Sequence, residues 1–111
     1  AAGELKHGTI ALIEDKQPVV ALCCNDAITE KTMSNIVEVK ARGAEVLAVA
    51  PRGNGRILSL ADDMIFVPQV NPLFSAVVEI VPLQLLAYYV ARENNCDIDK
   101  PKNLAKSVTV E

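Results

Sequence analysis

The sequence predicts an α/β fold with helices laid on a parallel sheet, and three observations carry that prediction. Half of its 111 residues are hydrophobic but only 4% are aromatic, with no tryptophan, so the core must be aliphatic. Short runs apolar on both faces, at 18–24, 45–50 and 64–68, read as strands buried between layers, the pattern of parallel sheets. Between the first two runs lies one amphipathic stretch bounded by a capping residue and a glycine. Strand, helix and strand therefore form one crossover unit, right-handed by the usual rule.

Residues 1–7 are helix-compatible and meet Gly8, a residue that ends helices by adopting a positive φ. No residues remain before them for a cap, which reads as the edge of a longer parent. His7 at that end has a plain explanation, because a cationic imidazole favours the negative end of a helix dipole. A short apolar run, Ile10-Ala11-Leu12-Ile13, leads into the turn-like Glu14-Asp15-Lys16-Gln17. After the strand at 18–24, Asn25 and Asp26 offer side-chain oxygens to cap a helix over 27–42. Met33, Ile36, Val37 and Lys40 are expected on its buried face, with the aliphatic stem of Lys40 at the margin. Gly43 stops the helix, the strand at 45–50 follows at once, and Pro51 ends it.

Arg52-Gly53-Asn54-Gly55-Arg56 sets two glycines between two arginines, yet its spacing fits neither nucleotide fingerprint, and a solvated connection is expected. A short helix over 57–62 and a third strand at 64–68 come next. After the Asn71-Pro72 turn, residues 73–94 read as one long helix with apolar side chains on nearly every face. Such a helix is buried between layers or at a subunit interface. Pro82 in its interior is expected to kink it, and Tyr88 and Tyr89 are expected to be packing residues. The polar run 94–101 ends the helix, and Pro101 sends the last ten residues off as an extended strap.

Three strands and two main helices are too few for a complete doubly wound domain, so the chain reads as the carboxyl-terminal part of a larger unit. A net charge of -3 and a pI near 5.1 argue against nucleic-acid binding, which needs a basic stripe. No run is expected to span a bilayer, because Glu79, Pro82 and Gln84 interrupt the longest one. No secretory signal is visible. Cys23, Cys24 and Cys96 are odd in number and lack metal-ligand spacing. Cys23 and Cys24, adjacent in a strand, are expected on opposite sides of the sheet as buried reduced thiols. A cytoplasmic location is the expectation that follows.

In the strap, Leu104 and Val108 alternate about Lys106 and can anchor the chain on an apolar surface while the amine points into a cleft. A lysine held in that way is a candidate for imine chemistry, since burial or a nearby cation frees more of its amine. The alternative is a solvated tail charge.

The ending Asn103-Leu104-Ala105-Lys106-Ser107-Val108-Thr109-Val110-Glu111 resembles the carboxyl terminus of the glutamine-dependent glucosamine-fructose-6-phosphate aminotransferases. The opening Ala1-Ala2-Gly3-Glu4-Leu5-Lys6-His7-Gly8, Ser34-Asn35-Ile36 with Lys40-Ala41-Arg42-Gly43, and Val81-Pro82-Leu83-Gln84-Leu85-Leu86-Ala87-Tyr88 resemble that family in order and spacing. The resemblance implies a three-layer α/β sandwich of the flavodoxin-like sugar-isomerase (SIS) type. Residues 1–111 would be the carboxyl-terminal portion of the second SIS domain, with 97–111 as the active-site tail. The first SIS domain and the glutaminase domain lie outside this chain.

The function so implied is conversion of fructose 6-phosphate and glutamine to glucosamine 6-phosphate and glutamate, the first step of amino-sugar biosynthesis. Lys106 matches the lysine that forms the imine with the open-chain ketose. His7 matches the histidine implicated in opening the sugar ring, which in the family enters the neighbouring subunit's site and so implies a homodimer. Ala105 matches a tail position whose backbone lines the sugar site. Neither cofactor nor metal is implied. The base between C1 and C2, the phosphate loop and the glutaminase nucleophile lie upstream of Ala1 in the family, so the isolated chain is predicted to be inactive. Thr9 stands where the family often has proline. A second reading on the same fold is a non-catalytic module that binds phosphosugars without turnover.

Overall fold

The aliphatic runs pair as expected. A computed structural model describes residues 1–100, the side chain of Asp26 excepted. The chain divides into two units, Ala1–Glu79 and Ile80–Glu111. In the first, strands β1 (Pro18–Leu22), β2 (Glu45–Pro51) and β3 (Asp63–Val67) form a parallel sheet in the order β1-β2-β3. The register sets Ala21 beside Ala48 and Ala48 beside Met64. β2 lies in the middle, and its residues from Ala48 to Pro51 are all buried.

Alternation of side chains along the strands divides the core in two. Ala21, Val46, Ala48 and Ala50 face helix α1 (Asp26–Lys40) and the short helix α2 (Gly55–Leu60), meeting Met33, Ile36, Val39 and Ile57. On the other face, Val49 and Val67 lie with Cys24, and Ile65 and Val78 pack against them. Val78 belongs to helix α3 (Ser75–Glu93), so within the first unit the sheet is covered on both sides. That is the three-layer α/β arrangement that the sequence predicts. Cys23 and Cys24 follow β1 directly and sit in opposite core clusters as free buried thiols, as expected.

α1 starts where its cap predicts, the Asn25 side chain accepting a hydrogen bond from the Ala27 N–H at 3.1 Å. Its buried face is Thr29, Met33, Ile36 and Val39. Val37, expected there, is instead 50% exposed. Both sets fit helical spacing, and contact with the sheet decides between them. The Lys40 ammonium meets the Asp62 carboxylate at 2.6 Å, while the other oxygen of Asp62 accepts from the Val46 N–H at 2.8 Å. These bonds, Lys40's first, hold the Asp62 carboxyl below its usual range.

Gly43 has φ +92, and a Cβ there would stand 2.9 Å from an Asp15 side-chain oxygen and 3.0 Å from the Asp15 Cα. Its carbonyl accepts from the Lys16 N–H at 2.7 Å, tying the turn before β1 to the turn before β2. α2 begins at Gly55, earlier than the expected 57, because the Asn54 side chain accepts from the Ile57 N–H and caps it.

A 3-10 turn over Pro72–Phe74, capped by Asn71, precedes α3. The helix runs through Pro82, whose missing N–H leaves the Val78 carbonyl without its intrahelical partner. None of its residues is buried, so the expected burial between layers is not seen within this chain, although Val78 packs against the smaller core cluster; the other expectation, a subunit interface, concerns a second chain. Residues 72–93 are long and apolar enough, by length and composition, to cross a bilayer. This corrects the expectation that Glu79, Pro82 and Gln84 break every such run, since Pro82 and Gln84 are uncharged and the helix does not stop at either. Glu79, the only charge before Arg92, accepts from the Cys24 N–H at 3.3 Å, so that end of α3 is held on protein. In the second unit, Tyr88 and Tyr89 meet edge to face with centroids 5.2 Å apart. The helix closes at Asn95, whose φ is +57, with the Cys96 N–H bonded to the Ala91 carbonyl.

Candidate active site

Of the three residues singled out by sequence, His7 alone lies among the described residues. Lys106 and Ala105 lie outside them, as does the extended strap. His7 is the last residue of a 3-10 helix, Ala2–His7, and it is exposed. Gly8 follows with φ +146, a conformation in which only glycine is comfortable, and a second 3-10 turn, Thr9–Leu12, begins at once. The expected helix end is therefore present, though the helix is of the tighter kind. Two contacts attach it to the body. Leu5 packs against the larger core cluster, and the Lys6 ammonium reaches the Glu38 carboxylate of α1 at 2.7 Å.

The carboxyl ends of parallel strands, where ligands of open α/β sheets gather, form a concave region. There a cavity of about 520 Å³ is lined by Cys23, Arg52, Asn54 and Gln69 among others. The Arg52 guanidinium lies 4.9 Å from the centre of the Phe66 ring. Arg56 is held by both carboxylate oxygens of Glu30. The 52–56 loop is exposed apart from the half-buried Asn54, the solvated connection expected; it does run into a helix amino terminus, but that helix has six residues only. Among the described residues no group of three His, Cys, Asp or Glu side chains could hold a metal ion.

The thiols at this edge are not nucleophiles. Burial, then the Glu79 charge, raises Cys23 to about 11, and burial, then a hydrogen bond to Glu79, raises Cys24 to about 12. Both stay protonated at neutral pH, and the thiolate is the reactive form. Iodoacetamide at pH 8 should therefore add one label to the native chain, at the exposed Cys96, and three after denaturation. Labelling of Cys23 or Cys24 in the native chain would contradict this burial. The Cys24–Glu79 and Lys6–Glu38 contacts are absent from the sequence reading, because each joins residues remote in sequence that belong to no shared motif.

The chain matches the family model described as the SIS domain over residues 1–93. A glutamine–fructose-6-phosphate aminotransferase (isomerizing) of Thermus thermophilus is 56% identical over 110 residues, covering 99% of this chain and 18% of that protein. Its counterpart in Clostridium acetobutylicum is 55% identical over 111 residues, covering 100% of this chain and 18% of that protein. The solved carboxyl-terminal domain of glucosamine-fructose-6-phosphate aminotransferase from Francisella tularensis superposes with a TM-score of 0.81 at 35% identity, covering 90% of this chain and 28% of that one. The chain thus spans under a fifth of the length of the curated relatives it matches.

Proposed function

This chain belongs to the SIS domain family, and on that premise we propose that it is the carboxyl-terminal part of the second SIS domain of a glutamine–fructose-6-phosphate aminotransferase. The observation that carries the reading is identity above 50% along the whole chain to proteins of that name. The full-length polypeptide takes ammonia from glutamine in its glutaminase domain and converts fructose 6-phosphate to glucosamine 6-phosphate. It works as a cytoplasmic homodimer.

In this reading His7 opens the sugar ring. Its imidazole accepts the proton of the anomeric hydroxyl and returns one to the ring oxygen as the C2–O bond breaks, a task suited to a ring with one nitrogen that accepts and one that donates. Its exposure at the end of a short helix suits a residue that serves a neighbouring subunit's site. The Lys106 amine attacks the freed C2 ketone and water leaves. Ammonia released from glutamine then adds to C2 and expels the Lys106 amine, and the protonated imine so formed draws electrons from C1 while a base upstream moves the proton from C1 to C2. The Ala105 backbone lines the sugar.

The test is borohydride trapping with fructose 6-phosphate, followed by peptide mass mapping, on the full-length polypeptide and on residues 1–111. A sugar adduct on Lys106 in the former and not in the latter is expected. Absence of that adduct in a folded full-length polypeptide that binds the sugar would move the reading to a phosphosugar-binding module without turnover.

A further inference from the structure

We propose that Lys6 and Glu38 form a positioning pair for His7, an inference that rests on the reading of His7 as the ring-opening residue. The helix carrying His7 has no side-chain cap at its start and no buried residue. Helices of the 3-10 type have poor hydrogen-bond geometry and stay short, so six residues of one do not fix a ring by themselves. Glycine within the helix, Gly3, and directly after it, Gly8 at φ +146, leaves the backbone there with no Cβ to restrict it.

Leu5 on the core supplies one anchor, about which the segment can still turn. The Lys6–Glu38 contact at 2.7 Å supplies the second, one residue from the histidine. Its far end is rigid: Glu38 stands on a 15-residue helix between Ile36 and Val39, both buried against the sheet. With three residues per turn, neighbouring side chains on a 3-10 helix point about 120° apart. Holding Lys6 toward α1 therefore sets the direction in which His7 leaves the body. The Glu38 side chain is the more enclosed partner, at 31% against 62% exposure. Arg42, just past the end of α1, bonds through its guanidinium to the Glu38 backbone carbonyl rather than to the carboxylate, and Lys40 pairs with Asp62.

The test uses Glu38→Gln in the full-length polypeptide, which removes the pair without changing a residue beside the histidine. Loss of an exposed pair is expected to lower kcat about threefold to fivefold, with KM for fructose 6-phosphate within about twofold, as befits a residue that acts on the reacting step rather than on sugar binding. The reversed pair, Lys6→Glu with Glu38→Lys, should regain most of the loss. About 0.5 M salt should narrow the gap between parent and variant by screening the pair. Lys6→Met, which leaves α1 intact, must behave as Glu38→Gln does. The imidazole resonances of the full-length polypeptide that vanish in His7→Asn identify the His7 ring, and Glu38→Gln should shift them. An unchanged kcat in Glu38→Gln and Lys6→Met, beside a loss of about 100-fold or more in His7→Asn, overturns the positioning role alone. Full activity in His7→Asn overturns the ring-opening reading and this proposal with it.

Discussion

Lys106→Arg in the full-length polypeptide is expected to lower fructose 6-phosphate isomerisation on the order of 1,000-fold or more, with sugar binding nearly unchanged. Arginine keeps the positive charge and most of the reach, so a lysine that only attracts the phosphate or covers the site would be replaced at small cost. Imine formation is different, because it needs a neutral amine with a free electron pair, and a guanidinium does not give up its proton in proteins. Borohydride trapping should vanish in parallel. A loss of less than about tenfold would remove the imine role from Lys106 and leave it as a binding cation.

Ile57→Ala is expected to destabilise the fold by about 2–5 kcal/mol, the range for emptying a fully buried aliphatic site. Ile57 is 0% exposed and is the one buried residue of α2, the main anchor of that six-residue helix on the core, with the partly buried Leu60 beside it. Its backbone is equally committed, the N–H to the Asn54 side chain at 3.3 Å and the carbonyl to the Ala61 N–H at 2.9 Å. Against a typical total of about 5–15 kcal/mol, such a loss is a large share. The neighbouring Leu58 is 56% exposed, and Leu58→Ala should stay within about 0.5 kcal/mol. Urea unfolding of the two variants measures the contrast. Equal midpoints would mean that α2 does not pack on the sheet through Ile57.

The parallel sheet was legible because burial on both faces leaves a plain mark, uninterrupted apolar runs at 18–24 and 46–50. Asn25 and Gly43 were legible for a similar reason, each being required by a local backbone geometry. The phase of α1 was not. Met33 and Ile36 belong to either of two faces, one continued by Val37 and the other by Val39, and only the sheet beneath the helix chooses the second. Nor were the pairs Lys40–Asp62, Arg56–Glu30 and Cys24–Glu79, which span 22, 26 and 55 residues and form only when separate elements meet. Of the site, sequence carried the identities of His7, Ala105 and Lys106 through resemblance. What holds His7 in place is visible only once Glu38 lies opposite Lys6.

β1 has β2 on one side and, among the described residues, no strand on the other. Because a strand's N–H groups point alternately to its two sides, the Cys23 N–H, bonded to the Val49 carbonyl at 2.8 Å, places those of Val20 and Leu22 on the open side. In heavy water, protons on those two nitrogens should be replaced far sooner than the amide protons along β2, which leave only when the sheet itself opens. The same two positions make a built-in gauge of assembly. Any polypeptide that joins the sheet at this border must slow deuterium uptake at Val20 and Leu22 first, so two amide signals suffice to record the moment at which the chain acquires a neighbour.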